Sequence, residues 1–223
     1  MTWRSWMRLA TRLAPCTVAL SAAVSGGVGA QATSRERLAP ATQATLDRLV
    51  DSARAAGLPT APLVDKVAEG TLKGADDERI VRAVRTLVRE LGSARAALGP
   101  SADAAVLGAG ASALHAGVSE SDLQRMAHAG GDQPRAALAS ALVTLVDLVA
   151  KQVPVASAAR SIEDLLNHRA NEGQFAVLRA EVGRDIAAGR SPEQSLVSRT
   201  TAQLRALDPA SLDVMPRRPP ADP

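Results

Sequence analysis

The chain has 223 residues, 46% of them hydrophobic, yet it contains only two tryptophans, one phenylalanine and no tyrosine. Surfaces that stack on nucleic-acid bases and cages that hold quaternary amines need aromatic faces, so this composition excludes them. Residues 1–30 hold three of the 26 basic residues and none of the 23 acidic ones. The rest of the chain is therefore neutral, which argues against nucleic-acid binding.

Residues 1–30 have the layout of a secretory signal peptide. Three arginines lie within the first twelve residues, a run of small apolar residues follows over 13–24, and small residues continue to Ala30. We expect cleavage after Ala30 or Ala32 and export by a Sec-type route, with the periplasm as the default destination and the medium as the alternative. An uncleaved anchor is disfavoured, because the apolar run is short and rich in alanine, serine and glycine.

Cleavage changes the chemistry of the chain. It removes Trp3, Trp6 and Cys16, and it leaves Phe175 as the one aromatic residue. The exported chain would have no disulfide, no cysteine nucleophile and no thiolate metal site. Its core has to be built from alanine, valine, leucine and isoleucine.

The remaining chain divides into three parts. Residues 31–40 are predicted to be a polar leader, and residues 41–207 an all-helical domain large enough for its own core. Residues 208–223 are predicted to be a disordered tail, because their proline density forbids a helix or a central strand.

Residues 41–207 favour helix throughout, since alanine, leucine, arginine and glutamate dominate and no segment alternates with period two. Glycines followed by capping residues predict about nine short to medium helices in a compact bundle. The strongest start signal is Ser191, followed by Pro192 and Gln194. Helices are predicted over 41–56, 77–98 and 133–151. A further helix begins at Thr60 and Pro62 and ends at Gly74, another ends at Gly117, and a capping-box variant at 119–122 begins the next. Further breaks are predicted at 153–154 and 171–173.

Two of these helices indicate the architecture. In 77–98 the apolar residues share one face and four arginines the opposite one, as in a surface helix. Residues 136–146 carry no charge at all, so 133–151 is predicted to be a buried central helix.

Several connectors resemble one another. Residues 56–63 align with 116–123 without a gap, and 73–80 with 188–196 after one insertion. Degenerate helical-hairpin repeats would produce this similarity. Unrelated helix connectors would also converge on a glycine followed by a cap, and the irregular spacing leaves both explanations open.

No catalytic motif is present, so we expect no enzyme activity and no cofactor. His115 and His128 end successive helices and could hold a metal ion together with Asp122 or Asp132. The favoured interpretation is that these histidines, like His168, complement helix C-termini, and we expect no metal. Asp147–Lys151 and Glu69–Lys73 have the spacing of ordinary helical ion pairs.

The arginine face of helix 77–98 is the candidate partner- or anion-binding surface. It consists of Arg79, Arg82, Arg85 and Arg89, although an ordinary solvated face has the same pattern. The leading hypothesis is an exported, non-enzymatic protein that acts through protein–protein contacts, as a scaffold, adaptor or chaperone-like factor. The alternative is a bundle that binds a lipid or another small or anionic ligand, and the third is a hydrolase with an unrecognised acid pair.

Overall fold

The computed structural model describes residues 38–208, which form nine α-helices and no strand. The predicted all-α fold is confirmed, whereas the predicted signal peptide, nearly all of the leader and the tail after Asp208 lie outside the described residues. The predicted break at 171–173 is the start of a helix. The helices are α1 Pro40–Ala55, α2 Ala61–Leu72, α3 Asp77–Leu98, α4 Ala104–His115, α5 Glu120–Gly130, α6 Arg135–Ala150, α7 Val155–Asn167, α8 Glu172–Ala187 and α9 Pro192–Leu207.

Short polar side chains set several helix starts. Asp76 accepts a hydrogen bond from the backbone N–H of Arg79, and the predicted capping box at Ser119 forms with Asp122. Asn171 forms a second capping box at the start of α8. Ser191 does precede α9 as predicted, but its side chain makes no capping hydrogen bond.

Six connectors share one hydrogen-bond pattern, the Schellman motif that ends a helix on a left-handed residue. In the connector after α4, Gly117 N–H donates to Leu114 at 3.0 Å and Val118 N–H to Ala113 at 3.0 Å. The left-handed residues of the six connectors are Gly57, Gly74, Gly117, Gln152, Arg169 and Gly189. The similarity predicted for four connectors therefore extends to two that lack glycine.

The helices pack in the order in which the chain makes them. Within residues 40–207, every extensive helix–helix contact joins neighbours or next neighbours along the chain. The odd-numbered helices form one layer, in which each contacts the next, and α4, α6 and α8 form the second layer in the same way. This quasi-one-dimensional packing is typical of helical-repeat arrays.

The core is continuous through both layers and is aliphatic apart from Phe175 and Met126. Helix α6 contacts α4, α5, α7 and α8, which agrees with its predicted central place. The expectation that it is buried all round is wrong on one side, where Val143 is 45% exposed. That side is the outer surface of the second layer.

Among the described residues, Asp185 is the only charged residue that is buried, with 6% of its surface exposed. Arg199 of α9 donates two hydrogen bonds to this carboxylate on α8, at 2.8 and 2.9 Å. These hydrogen bonds hold the pKa of Asp185 below its usual value of 3.8 although burial acts in the opposite direction. The pair joins the last two helices of the array.

The Asp185→Asn substitution is expected to destabilise the protein at pH 7, because Arg199 loses the carboxylate to which it is hydrogen-bonded and keeps only a longer contact with Glu181 at 3.7 Å. A lowered folded-state pKa means that the contribution of Asp185 is present above pH 4 and is lost as the pH falls below it. Urea unfolding at pH 7 and pH 3 should therefore show a stability difference from wild type that shrinks at pH 3. Asp51→Asn, which removes an exposed pair with Arg54, is the control and should have little effect. An unchanged difference at both pH values would contradict this account.

Candidate functional site

An open groove of about 1010 Å³ lies between α2 and α4, with a face of α3 as its floor. We call it the α2–α4 groove. Small and apolar residues line its floor and its α4 side, with Val146 of α6 at the edge. They include Ala83, Thr86 and Leu87 of α3, and Gly108 and Ala111 of α4.

In the second layer α4 packs against α6 and α6 against α8, but α2 does not continue the layer by packing against α4. The groove lies at this interruption between α2 and α4. Within residues 40–207, α2 and α4 make no extensive contact with each other, although both pack on α3. Glycines allow these two close approaches: a Cβ at Gly70 would lie 2.7 Å from Ile80 Cγ1, and one at Gly110 would lie 2.6 Å from Leu98 Cδ1. The strip of α3 between α2 and α4 is left without a covering helix.

Charged side chains line this strip, and two of them, Glu90 and Lys66, have partners within the protein. Glu90, whose side chain is 18% exposed, lies 2.9 Å from Nδ1 of His115. Lys66 donates to Glu69 at 2.8 Å, and Lys73 donates to the same carboxylate at 2.5 Å. These two hydrogen bonds lower the pKa of Glu69 to about 2.

The predicted arginine face is exposed along its whole length, but it does not form a single site. Arg79 and Arg82 line the α2–α4 groove. Arg85 instead lines a separate pocket between α1 and α3, to which Arg82 also contributes. Arg89 donates a hydrogen bond to the Thr86 hydroxyl at 3.3 Å.

Within residues 38–208, neither Arg79 nor Arg85 forms an ion pair, and Arg82 makes only a long contact of 3.6 Å with the highly exposed Glu78.

No known protein family, curated protein or solved structure matches this chain. None of the helices in the described part is long and apolar enough to cross a membrane.

His115 and His128 do not come together as the disfavoured metal site would require, because Nδ1 of His115 lies 2.9 Å from Glu90 while His128 lines a pocket beside α7. His168 behaves as expected, with Nδ1 2.8 Å from the carbonyl oxygen of Asp164 at the end of α7. Among residues 38–208, no three histidine or acidic side chains are arranged to hold a metal ion.

Two carboxylates do meet in a cleft between α5 and α7. Arg125 donates hydrogen bonds to Asp122 and, at 3.1 Å, to Glu163. Partial burial opposes ionisation of Asp122, but hydrogen bonds from Ser119 and Arg125 outweigh it and lower its pKa. A general acid needs a raised pKa, so this arrangement suits a structural bridge between two helices.

The predicted ion pairs on single helices are confirmed. Lys151 contacts Asp147 at the end of α6, and Lys73 contacts Glu69 at the end of α2. Sequence reasoning missed the contribution of Glu90 and Gly108 to the groove. Neither residue carries a local signal of it, because the groove depends on where α2 and α4 lie on α3.

Proposed function

We propose that this chain is an exported, non-enzymatic helical protein that binds a segment of a partner polypeptide in the α2–α4 groove. The observation that carries the proposal is the interruption of the second layer, which leaves a strip of α3 without a covering helix. Grooves with an apolar floor and a polar rim are a recurring way to bind an amphipathic helix. The role would be that of a scaffold, adaptor or chaperone-like factor.

Two features of the groove favour a polypeptide over a lipid. A lipid carrier needs an enclosed apolar cavity, whereas this groove is open to solvent along α3. Charged groups from α2 and α3 also line it, including Lys66, Arg79 and Glu90. Such a rim suits a ligand that brings its own polar groups.

The carboxylate geometry favours a binding role over hydrolysis. Asp122 and Glu163 both contact Arg125, so neither is placed to act as a proton donor. Export is inferred from the arginines and the apolar run of residues 1–30.

Site-specific photo-cross-linking in the native host tests the proposal. A photoreactive residue at Thr86, on the groove floor, is expected to capture a discrete polypeptide. The same residue at Gln124, exposed on α5, is the control and should not capture it. Adducts made only of lipid would overturn the proposal, as would equal capture from both positions.

Filling the groove is expected to abolish capture. Gly108 lines the groove and a Cβ added there meets no atom within 4 Å, so Gly108→Phe is chosen to place a ring in the groove. Gly92→Phe is the matched control, because a Cβ at Gly92 also meets open space and Gly92 of α3 does not line the groove. Both changes remove a helix-weakening glycine, so both variants should fold. Capture at Thr86 that persists in Gly108→Phe, or that falls equally in both variants, would contradict the proposal.

A further inference from the structure

The groove has a direction, which follows from the charges along α3. Arg79 and Arg82 lie near the start of α3, and Glu90 lies eleven residues after Arg79. At 1.5 Å per residue these two ends of the groove are about 16 Å apart. Asp65 of α2 also lines the groove and is exposed.

Contacts between the helices place Asp65 along this axis. Gly70 lies against Ile80, and Arg95 donates a hydrogen bond to the carbonyl oxygen of Gly57. Helix α2 therefore runs antiparallel to α3, and Asp65 lies closer to the Glu90 end than Gly70 does. The groove is basic at the Arg79 end, where Arg79 and Arg82 line it. Toward the Glu90 end it carries the carboxylates of Asp65 and Glu90, together with Lys66, which is hydrogen-bonded to Glu69 of the same helix.

The second layer has the same direction. Gly110 lies against Leu98 and His115 lies against Glu90, so α4 also runs antiparallel to α3. A helix that lay in the groove between α2 and α4 and ran parallel to both would place its C-terminus at Arg79 and Arg82. A helix C-terminus carries partial negative charge and its N-terminus partial positive charge, so this direction also matches the charges of the groove.

We propose that the α2–α4 groove takes a partner helix that runs antiparallel to α3 and carries acidic residues in its last turn, which Arg79 and Arg82 bind. This inference rests on the proposed function and adds the orientation and charge of the ligand. Arg79 is free to bind a carboxylate, because it forms no ion pair within residues 38–208. Arg82 gives up only a long contact with an exposed glutamate.

Two synthetic helices test the orientation. Both are stapled alanine–leucine peptides of identical composition, one with lysines in its first turn and glutamates in its last, and the other with these charges exchanged. Fluorescence anisotropy with residues 31–223 should show that the peptide with C-terminal glutamates binds about tenfold more tightly, since several exposed charge contacts change sign. Equal affinities, a preference for the other peptide, or no binding of either would overturn the inference.

Charge-swap variants assign the preference to the two arginines. The Arg79→Glu/Arg82→Glu variant is expected to lose or invert the preference. The Arg48→Glu/Arg85→Glu variant makes the same change in charge at exposed residues outside the groove lining, and it should keep the preference. If both variants lost the preference for the peptide with C-terminal glutamates, the preference would depend on the overall charge of the protein, which would contradict its assignment to Arg79 and Arg82. Cross-linking at Thr86 reports on the groove whatever the orientation, so the two proposals can fail separately.

Discussion

Replacing Phe175 by alanine is expected to lower the free energy of unfolding by about 3–5 kcal/mol, the usual cost of emptying a buried aromatic site. Phe175 is fully buried and is the one aromatic residue in the described core. It lies in the first turns of α8, which packs against α6 and α9. The rest of the described core is aliphatic apart from Met126, so no second aromatic side chain lies in it to replace the lost volume.

Urea unfolding of Phe175→Ala and Val177→Ala makes the comparison on one helix. Val177 is 49% exposed, so its truncation should cost well under about 1 kcal/mol. Similar losses for the two variants would show that Phe175 is not the packing centre of α8.

The Gly70→Ala and Gly108→Ala variants are expected to change stability in opposite directions. Alanine is a better helix former than glycine by about 1 kcal/mol, and Gly108→Ala should gain that amount because its Cβ meets open space. A Cβ at Gly70 would lie 2.7 Å from Cγ1 of the buried Ile80. Overpacking of this kind costs about 1–3 kcal/mol, so Gly70→Ala should show a net loss.

Thermal unfolding of both variants by circular dichroism measures the difference. We expect Gly108→Ala to melt above wild type and Gly70→Ala below it. If both melt above wild type, α2 can move away from α3 at no cost, and the close approach that shapes the groove is not needed for stability.

The helices could be predicted from sequence because their boundaries are local. Asp76 and the Ser119–Asp122 capping box act within one turn of the residues they cap. The end of α6 agrees with the predicted helix 133–151, but the left-handed conformation of Gln152 and Arg169 could not be predicted because neither residue is a glycine. Nothing in their side chains indicates it, and the conformation is set by the hydrogen bonds of the connector.

The features that depend on packing could not be predicted. Asp185 and Arg199 are fourteen residues apart on different helices, so no helical spacing links them. The arginine face of α3 was predicted as exposed, but its division between the groove and the α1 pocket depends on where α2 and α1 lie. Gly70 and Gly110 carry no sequence mark that separates a close helix contact from an open surface.

The most direct test of polypeptide binding is the affinity of the captured segment. The peptide identified by cross-linking at Thr86 can be synthesised and titrated calorimetrically into the wild-type protein, Gly108→Phe and Gly92→Phe. We predict that it binds wild type and Gly92→Phe equally, and Gly108→Phe at least about tenfold more weakly, a loss of about 1.4 kcal/mol. Equal affinity for all three proteins would show that the segment binds elsewhere and would contradict a binding role for the α2–α4 groove.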